Sequence, residues 1–453
     1  MTTEHAPAAT LSRILGFGFS IALAFGGTVG VGILRLPGEV AAALGDPSLV
    51  VLVWIAGGIY ATLGAVSVAE LVAMMPTAGG FYVYARRAYG PRFGFVVGWN
   101  DWINNVLTVA YATITAADFL GVLVPSLAAH SQAIALLVLG LFTGLHWLGV
   151  RIGGGVQNGI SALVGVLLVG LALACFTVAA SAAPAPAATA AASVAALPLL
   201  SVGMIAALVA ALRSVIVTYD GWYQAIYLAE ETVDAPRNVP RAMIGCALLV
   251  TALYLLINVG FLHALSLPAL AASKLPAADA ARAILPRGGA EFVTVISLCT
   301  VLSLINASLL GAPRILYAIG RDGMFSGKAT RVSASGTPSV ALGITSAAAA
   351  LLVLSGTLEQ LIALAAVLFV LNYITAYSAV FVLRVREGSL VRPFRAWGFP
   401  WSTGLVLLGS MLFLVATVMD DPRSGAFAAG LIAASLPVSW WTSRRRGQPG
   451  GAH

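Results

Sequence analysis

Phe25-Gly26-Gly27-Thr28-Val29-Gly30-Val31-Gly32-Ile33 interrupts an apolar run that extends from residue 15 to residue 45. A second interruption, Val217-Thr218-Tyr219-Asp220-Gly221-Trp222, falls at the matching place in the second half of the chain. Glycine opens the helix in both, and an acid and hydroxyls join it in the second. Each break frees backbone N–H and C=O groups. At membrane depth such groups are tolerated only where they are buried in protein or line a cavity. Paired interrupted segments point to the substrate site of a carrier. The chain is therefore expected to move a small polar solute.

Composition excludes a soluble domain. Apolar residues make up 60% of the 453 and charged residues 9%, with mean hydropathy +0.96. Soluble domains carry roughly a quarter charged residues. Twelve apolar segments are read: 15–45 (broken), 49–75, 93–120, 131–149, 156–180, 200–229, 242–266, 291–318, 338–356, 359–383, 402–419 and 425–442. Segments of about 20 residues span a bilayer. The run after the first dozen residues is too long for a signal peptide, so no cleavage is expected. With the N-terminus inside, Arg13, Arg86, Arg87, Arg92, Arg151, Arg237, Arg241, Arg321, Lys328, Arg331, Arg384, Arg386, Arg392, Arg395 and Arg444 to Arg446 all face the cytoplasm. Only Lys274, Arg282, Arg287 and Arg423 then lie outside. This bias puts both termini in the cytoplasm of a multi-pass inner-membrane protein. It also accounts for the net charge of +7 without nucleic acid. Cys175, Cys246 and Cys299 are scattered through apolar segments and read as core residues. No metal-ligand spacing or cofactor motif is present.

Segments one to five and six to ten each open on a broken helix. A repeated unit with an odd number of helices sits in the membrane with inverted topology, its site between the repeats near the midplane. The expected fold is all-α, with broken helices 1 and 6 and two extra helices at the end. The divisions are a tail at 1–14, a first repeat at 15–181, an Ala/Pro-rich outer loop at 182–199 and a second repeat at 200–383. A cytoplasmic loop at 384–401, helices 11 and 12 at 402–442 and a basic tail at 443–453 complete the chain.

Four stretches resemble one family. They are Gly30-Val31-Gly32-Ile33-Leu34 with Pro37; Ala69-Glu70-Leu71 through Pro76, Ala78-Gly79-Gly80, Tyr82, Tyr84 and Tyr89-Gly90-Pro91 to Gly98-Trp99; Tyr219-Asp220-Gly221-Trp222 with Glu230-Glu231 and Pro236-Arg237-Asn238-Val239-Pro240-Arg241; and Asn306-Ala307-Ser308 with Arg314 and Arg321-Asp322-Gly323. In this order the chain resembles the amino acid–polyamine–organocation (APC) superfamily of permeases, most of all the L-type amino acid transporters and their bacterial relatives. The resemblance covers nearly the whole chain. It implies a LeuT-like five-plus-five inverted repeat and an amino acid substrate. The family's first break usually reads Gly-Ser-Gly, and Val31 here removes the hydroxyl while keeping a backbone donor.

An amino acid presents a carboxylate and an ammonium. The N–H groups of Val31, Gly32 and Ile33, at the start of a half-helix, suit the carboxylate, with Gly30 and Gly32 allowing close approach. Freed carbonyls near Gly26, Gly27, Val217 and Tyr219 suit the ammonium. The alternative for a Gly-rich run is tight helix packing. Asp220 either accepts from a substrate ammonium, carries a proton, or caps a half-helix beginning near Gly221. Trp222 and Tyr219 either wall the pocket or pack against segment three.

Charges at membrane depth are costly and therefore informative. Arg213 either recognises an acidic group or pairs with an acid such as Asp118, and pairing is the plainer account. Arg35 is expected to pair with Glu39, four residues on. Glu70 is expected in an ion-pair network at an inner gate. Asn100, Asp101, Asn104 and Asn105 either line the path or bond segment three to its neighbours. For coupling to H+ or Na+, Ser303 and Ser308 of segment eight offer oxygen to sodium, and small-residue packing is the alternative. The resembled family often has a lysine in segment five near the position of Val164, and no Lys or Arg lies in that segment here.

The expected function is transport of amino acids, neutral ones by default, by alternating access as exchanger or symporter. The alternatives are a polyamine or cationic amino acid carrier, which would want more pocket carboxylates than Asp220, or a nutrient sensor on a transporter scaffold. Clustered His, Asp or Glu for an intramembrane enzyme is absent from the sequence. The oligomeric state is not legible.

Overall fold

Helix α1 (Phe17–Thr28) and helix α2 (Gly32–Leu44) meet at an angle of 46° across the first break. They belong to a computed structural model that describes residues 11–178, 201–355 and 357–437. Within those residues the chain is helical, with isolated β-bridges only. α3 (Pro47–Met74) starts where Asp46 accepts the Leu49 N–H at 2.9 Å and Pro47 needs no partner for a missing donor. A short amphipathic helix, α4 (Phe81–Tyr89), follows, and Gly90 and Pro91 restart the chain as α5 (Pro91–Leu123). α6 (Ser131–Trp147) and α7 (Val150–Ala174) close the first half.

The second half opens with α8 (Val202–Thr218), capped by Ser201, whose hydroxyl accepts the Met204 N–H at 3.2 Å. The chain then loosens into Tyr219–Tyr223 and a 3₁₀ segment, Gln224–Glu231. α9 (Ala235–Ala264), the short α10 (Leu267–Ala272) and α11 (Pro276–Ile284), α12 (Gly289–Arg321), α13 (Ser339–Ser355) and α14 (Leu358–Arg386) follow. α15 (Trp401–Asp420) and α16 (Pro422–Ala433) complete the described chain.

Eight of these helices are long and apolar enough to cross a membrane, and the bent α1–α2 pair makes a ninth. α8 and α13, at 17 residues each, are shorter apolar helices. Within the described residues the expected segments coincide with helices, apart from the second half of the segment 200–229. The loop at 182–199 and the tail at 443–453 lie outside the described residues. Segment 425–442 runs past residue 437, the last one described here. The inner half of the second broken segment is a 3₁₀ stretch, with Leu228 out of helical geometry, where an α-helix was expected.

α12 is the most enclosed of the long spans. It packs against α5, α7, α1, α13 and the 3₁₀ segment. α1 lies against α7 and α9, α2 against α8, and α3 against α9. The two interrupted segments thus face one another in the middle of the bundle.

Candidate functional site

At the first break, Val29 still donates to Phe25 O at 2.8 Å, and Leu34 donates to Val31 O at 3.0 Å. Between them the N–H groups of Gly30, Val31, Gly32 and Ile33 have no protein acceptor among the described residues. Gly30, Val31 and Gly32 are partly exposed, while Val29 and Ile33 on either side are buried. A Cβ at Gly30 would meet nothing within 4 Å, whereas one at Gly32 would lie 3.2 Å from Thr218 Cγ2. The start of α2 therefore presents free donors and the positive end of a helix dipole to open space.

Gly26 and Gly27 are placed differently. Both lie inside α1 and are buried. A Cβ on Gly26 would overlap the Gln157 amide and Ser303 Oγ, and one on Gly27 would overlap the Gln224 side chain. These glycines let neighbouring side chains and backbone approach α1. Gly221, with φ of +110°, packs its Cα against the Gly27 carbonyl, so the two breaks touch.

The freed carbonyls are bridged by a residue that the sequence reading passed over. The Tyr254 hydroxyl of α9 lies 3.2 Å from Thr28 O and 3.1 Å from Thr218 O, the last residues of α1 and α8. Tyr219 donates its own hydroxyl to Trp54 O at 3.2 Å and packs on Trp54 and Tyr254. Trp222 stacks on Tyr373 of α14, with centroids 5.5 Å apart and planes at 17°. Tyr373 in turn donates to Asp220 Oδ1 at 2.5 Å. The 3₁₀ segment begins at Gln224, with Tyr223 at its N-cap and no side-chain cap, so Asp220 does not cap it. Its carboxylate tethers the second break to α14. Val217 lines a cavity of about 310 Å³ together with Leu36, Arg213, Phe413 and Asp420.

α1, α7 and α12 cross at a polar point. Gln157 Nε2 donates to Ala22 O (3.2 Å), Ser161 Oγ (3.0 Å) and Ser303 Oγ (2.9 Å). Its Oε1 accepts from Asn306 Nδ2 at 2.8 Å. An amide nitrogen thus sits among three oxygens from three helices. Gln157 makes this contact two turns before Val164, on the same helix face. Ser303 belongs to the crossing. Ser308 is buried with its hydroxyl unpartnered and stands about 140° further round α12 by helical periodicity, so the two serines do not converge.

Glu70, 1% exposed at its side chain, is held at one end of the bundle by Arg384 (2.6 Å) in the last turn of α14 and Arg392 (3.0 Å) in the connection that follows it. The Ala396 N–H adds a third bond at 2.7 Å. The same end carries Arg321–Glu230 (2.8 Å), Arg86–Asp322 (2.7 Å) and Arg87–Glu387 (3.0 Å). Arg314 and Glu231 form a fully buried bidentate pair at 2.8 and 3.1 Å. Motif residues far apart in sequence meet here, since Glu230-Glu231 pairs with Arg321 and Arg314. Tyr82 of α4 donates to Asp322 at 2.6 Å. Burial first, and this bond second, push the Tyr82 hydroxyl well above the usual tyrosine range.

Arg213 pairs with Asp420 at 2.8 Å. It does not reach Asp118, which instead accepts from Ser131; the cavity beside Arg213 is bordered by the end of α15. Arg35 and Glu39 lie 3.7 Å apart. The polar face of α5, Asn104 included, is buried. Asn100 donates to Leu368 O and Asn372 Oδ1 of α14, and Trp102 donates to Thr345 of α13. Tyr254, Gln157 and Tyr373 escaped the sequence reading. Asn372-Tyr373 and Tyr377, an amide and two phenols at helical spacing in an apolar segment, were the available signal for the last of these.

A polytopic helical membrane protein with two interrupted segments packed face to face at its centre is built like a solute permease. The chain belongs to the amino acid permease family, whose model matches residues 15–441, within the APC superfamily. It is similar to the serine/threonine exchanger SteT of Bacillus subtilis, 27% identical over 96% of this chain and 98% of the relative. It is also similar to the mouse b(0,+)-type amino acid transporter 1, 25% identical over 91% of this chain and 84% of the other. A third relative is the rabbit large neutral amino acids transporter small subunit 2, at 26% over 94% and 80%.

Proposed function

We propose that this permease moves neutral amino acids across the cytoplasmic membrane by alternating access, the two interrupted segments holding the substrate. In this reading the chain has twelve spans, a five-plus-five inverted repeat plus two helices, and both termini in the cytoplasm. The observation that carries it is the row of unpaired N–H groups from Gly30 to Ile33, half open at the start of α2. Four adjacent donors at the positive end of a helix are complementary to a carboxylate. The names of the relatives, an exchanger of serine and threonine and a transporter subunit for large neutral amino acids, agree with a zwitterionic substrate. Exchange and ion-coupled symport are both compatible with this site.

In the cradle the substrate carboxylate lies against Val31, Gly32 and Ile33. Its ammonium turns toward the carbonyl-rich stretch where α1 and α8 end. Side-chain size is then limited by Trp222, Tyr219 and their aromatic neighbours. A thermal-shift panel in detergent tests the carboxylate claim, since a ligand that binds only the folded state raises the Tm. Neutral amino acids are expected to raise it, and their amino alcohols, which lack the carboxylate, are not. Equal stabilisation by an amino acid and its alcohol would remove the cradle.

A further inference from the structure

Asp101 lies about a third of the way along α5 (Pro91–Leu123), wholly buried, and makes no ion pair among the described residues. Its Oδ1 accepts from the Tyr227 hydroxyl (2.7 Å), Asn372 Nδ2 (3.1 Å) and, at longer range, Asn105 Nδ2 (3.4 Å). Its Oδ2 is equally buried and has no partner. An uncompensated charge at this depth costs several kcal/mol, yet the substrate cradle does not use this carboxyl. One oxygen saturated with donors and the other bare is the arrangement of a group that holds a proton on its bare oxygen. Three hydrogens already converge on Oδ1, which repels a metal cation, and a metal would need several oxygens about one point. A proton needs one.

The titratable groups around Asp101 are Tyr227 and Tyr223 of the 3₁₀ segment, Tyr84 of α4 and Asp220 of the second break. α5 itself adds Tyr111, beside Asp220. α14 contributes the Asn372 amide to Asp101 and the Tyr373 hydroxyl to Asp220. α6, α12 and α13 bring no ion-pair partner to it.

We propose that Asp101 is the proton-binding site of the transport cycle, a proton forming an O–H bond at Oδ2 and leaving to water at the opposite membrane face. The inference rests on the carrier reading above and deepens it by naming the coupled ion. The Tyr227 bond supplies the link to movement. Tyr227 belongs to the segment just past the second break, while Asp101 and Asn372 belong to helices packed outside it. An ionised Asp101 receives a charge-assisted bond from Tyr227, and a protonated one receives a weaker neutral bond. Occupancy by a proton therefore loosens the second broken segment from α5 and biases the two states of the carrier.

The test uses purified full-length protein in liposomes with the membrane potential clamped. A one-unit inward pH gradient is worth 1.36 kcal/mol per proton, so one proton per substrate drives about tenfold accumulation of a labelled neutral amino acid. Asp101→Asn keeps an oxygen for Tyr227 and cannot exchange a proton. It is expected to retain exchange against internal amino acid and to lose gradient-driven accumulation. A trapped pH dye in wild-type vesicles should report acidification when substrate enters, and this arm stands even if the variant does not fold. Wild-type exchange with no response to the pH gradient and no dye signal would overturn the proton site while leaving the carrier reading intact. Accumulation driven by sodium instead, or undiminished pH-driven accumulation by Asp101→Asn, would also overturn it. No transport of any amino acid in either mode would count against the carrier reading itself.

Discussion

Gly30 and Gly32 are two residues apart and have different work. A methyl at Gly30 would point into open space, and one at Gly32 would press on Thr218. Gly30→Ala is thus expected to fold and insert normally while weakening substrate binding, because its methyl intrudes where the carboxylate approaches. Gly32→Val is expected to abolish uptake in protein that still inserts, since valine's methyls must displace the end of α8. Unaltered uptake by Gly32→Val would rule out the proposed cradle. Tyr254 is the complementary case, with one hydroxyl serving two chain ends. Tyr254→Phe leaves the Thr28 and Thr218 carbonyls without that donor, and a buried unsatisfied group costs about 1–3 kcal/mol. A lower melting temperature without substrate is expected, and an unchanged one would show that water or backbone adjustment replaces the bond. At this scale the glycines of the break were legible because glycine has so few reasons to interrupt an apolar run. Tyr254 was not, because a tyrosine in an apolar helix looks like any core aromatic until its partners are in place.

The 3₁₀ segment is the element where local reading failed. An acid followed by glycine at 220–221 reads as the start of a helix, yet Asp220 is taken by Tyr373 and the segment stays tight and buried. Tertiary contacts decide its form. Glu231 is clamped by Arg314, and its carbonyl accepts from both the Ile14 and Leu15 N–H groups just before α1. Removing one partner of a buried ion pair costs about 3–5 kcal/mol, whereas replacing both with apolar residues is often neutral. Arg314→Met is therefore expected to lower stability severely, and Glu231→Met with Arg314→Met to recover most of it. Thermal unfolding of the three proteins measures this, and a double variant no better than the single one would contradict it. The breaks themselves were legible as elements. The crossing of α1, α7 and α12 at Gln157 was not, because register between helices is invisible in one sequence.

For the whole molecule, hydropathy located the long apolar helices, since a bilayer allows few alternatives to them, while the short α4, α10 and α11 fell outside the apolar segments. The surplus of arginine at one set of loops also foretold one charged end. Five ion pairs at that end join α3, α4 and the 3₁₀ segment to the ends of α12 and α14 and to Arg392, and in the proposed cycle opening on that side would break several of them at once. What the sequence left open was the mutual placement of the two breaks, which depends on Gly27 and Gly221 coming into contact. Whether these joined breaks bind and carry amino acids is decided by uptake into liposomes holding purified protein, with labelled neutral amino acids and with or without internal amino acid. Saturable uptake of at least one neutral amino acid is expected, and it disappears in Gly32→Val. Folded protein that moves none of them, with or without internal amino acid, would contradict the carrier reading.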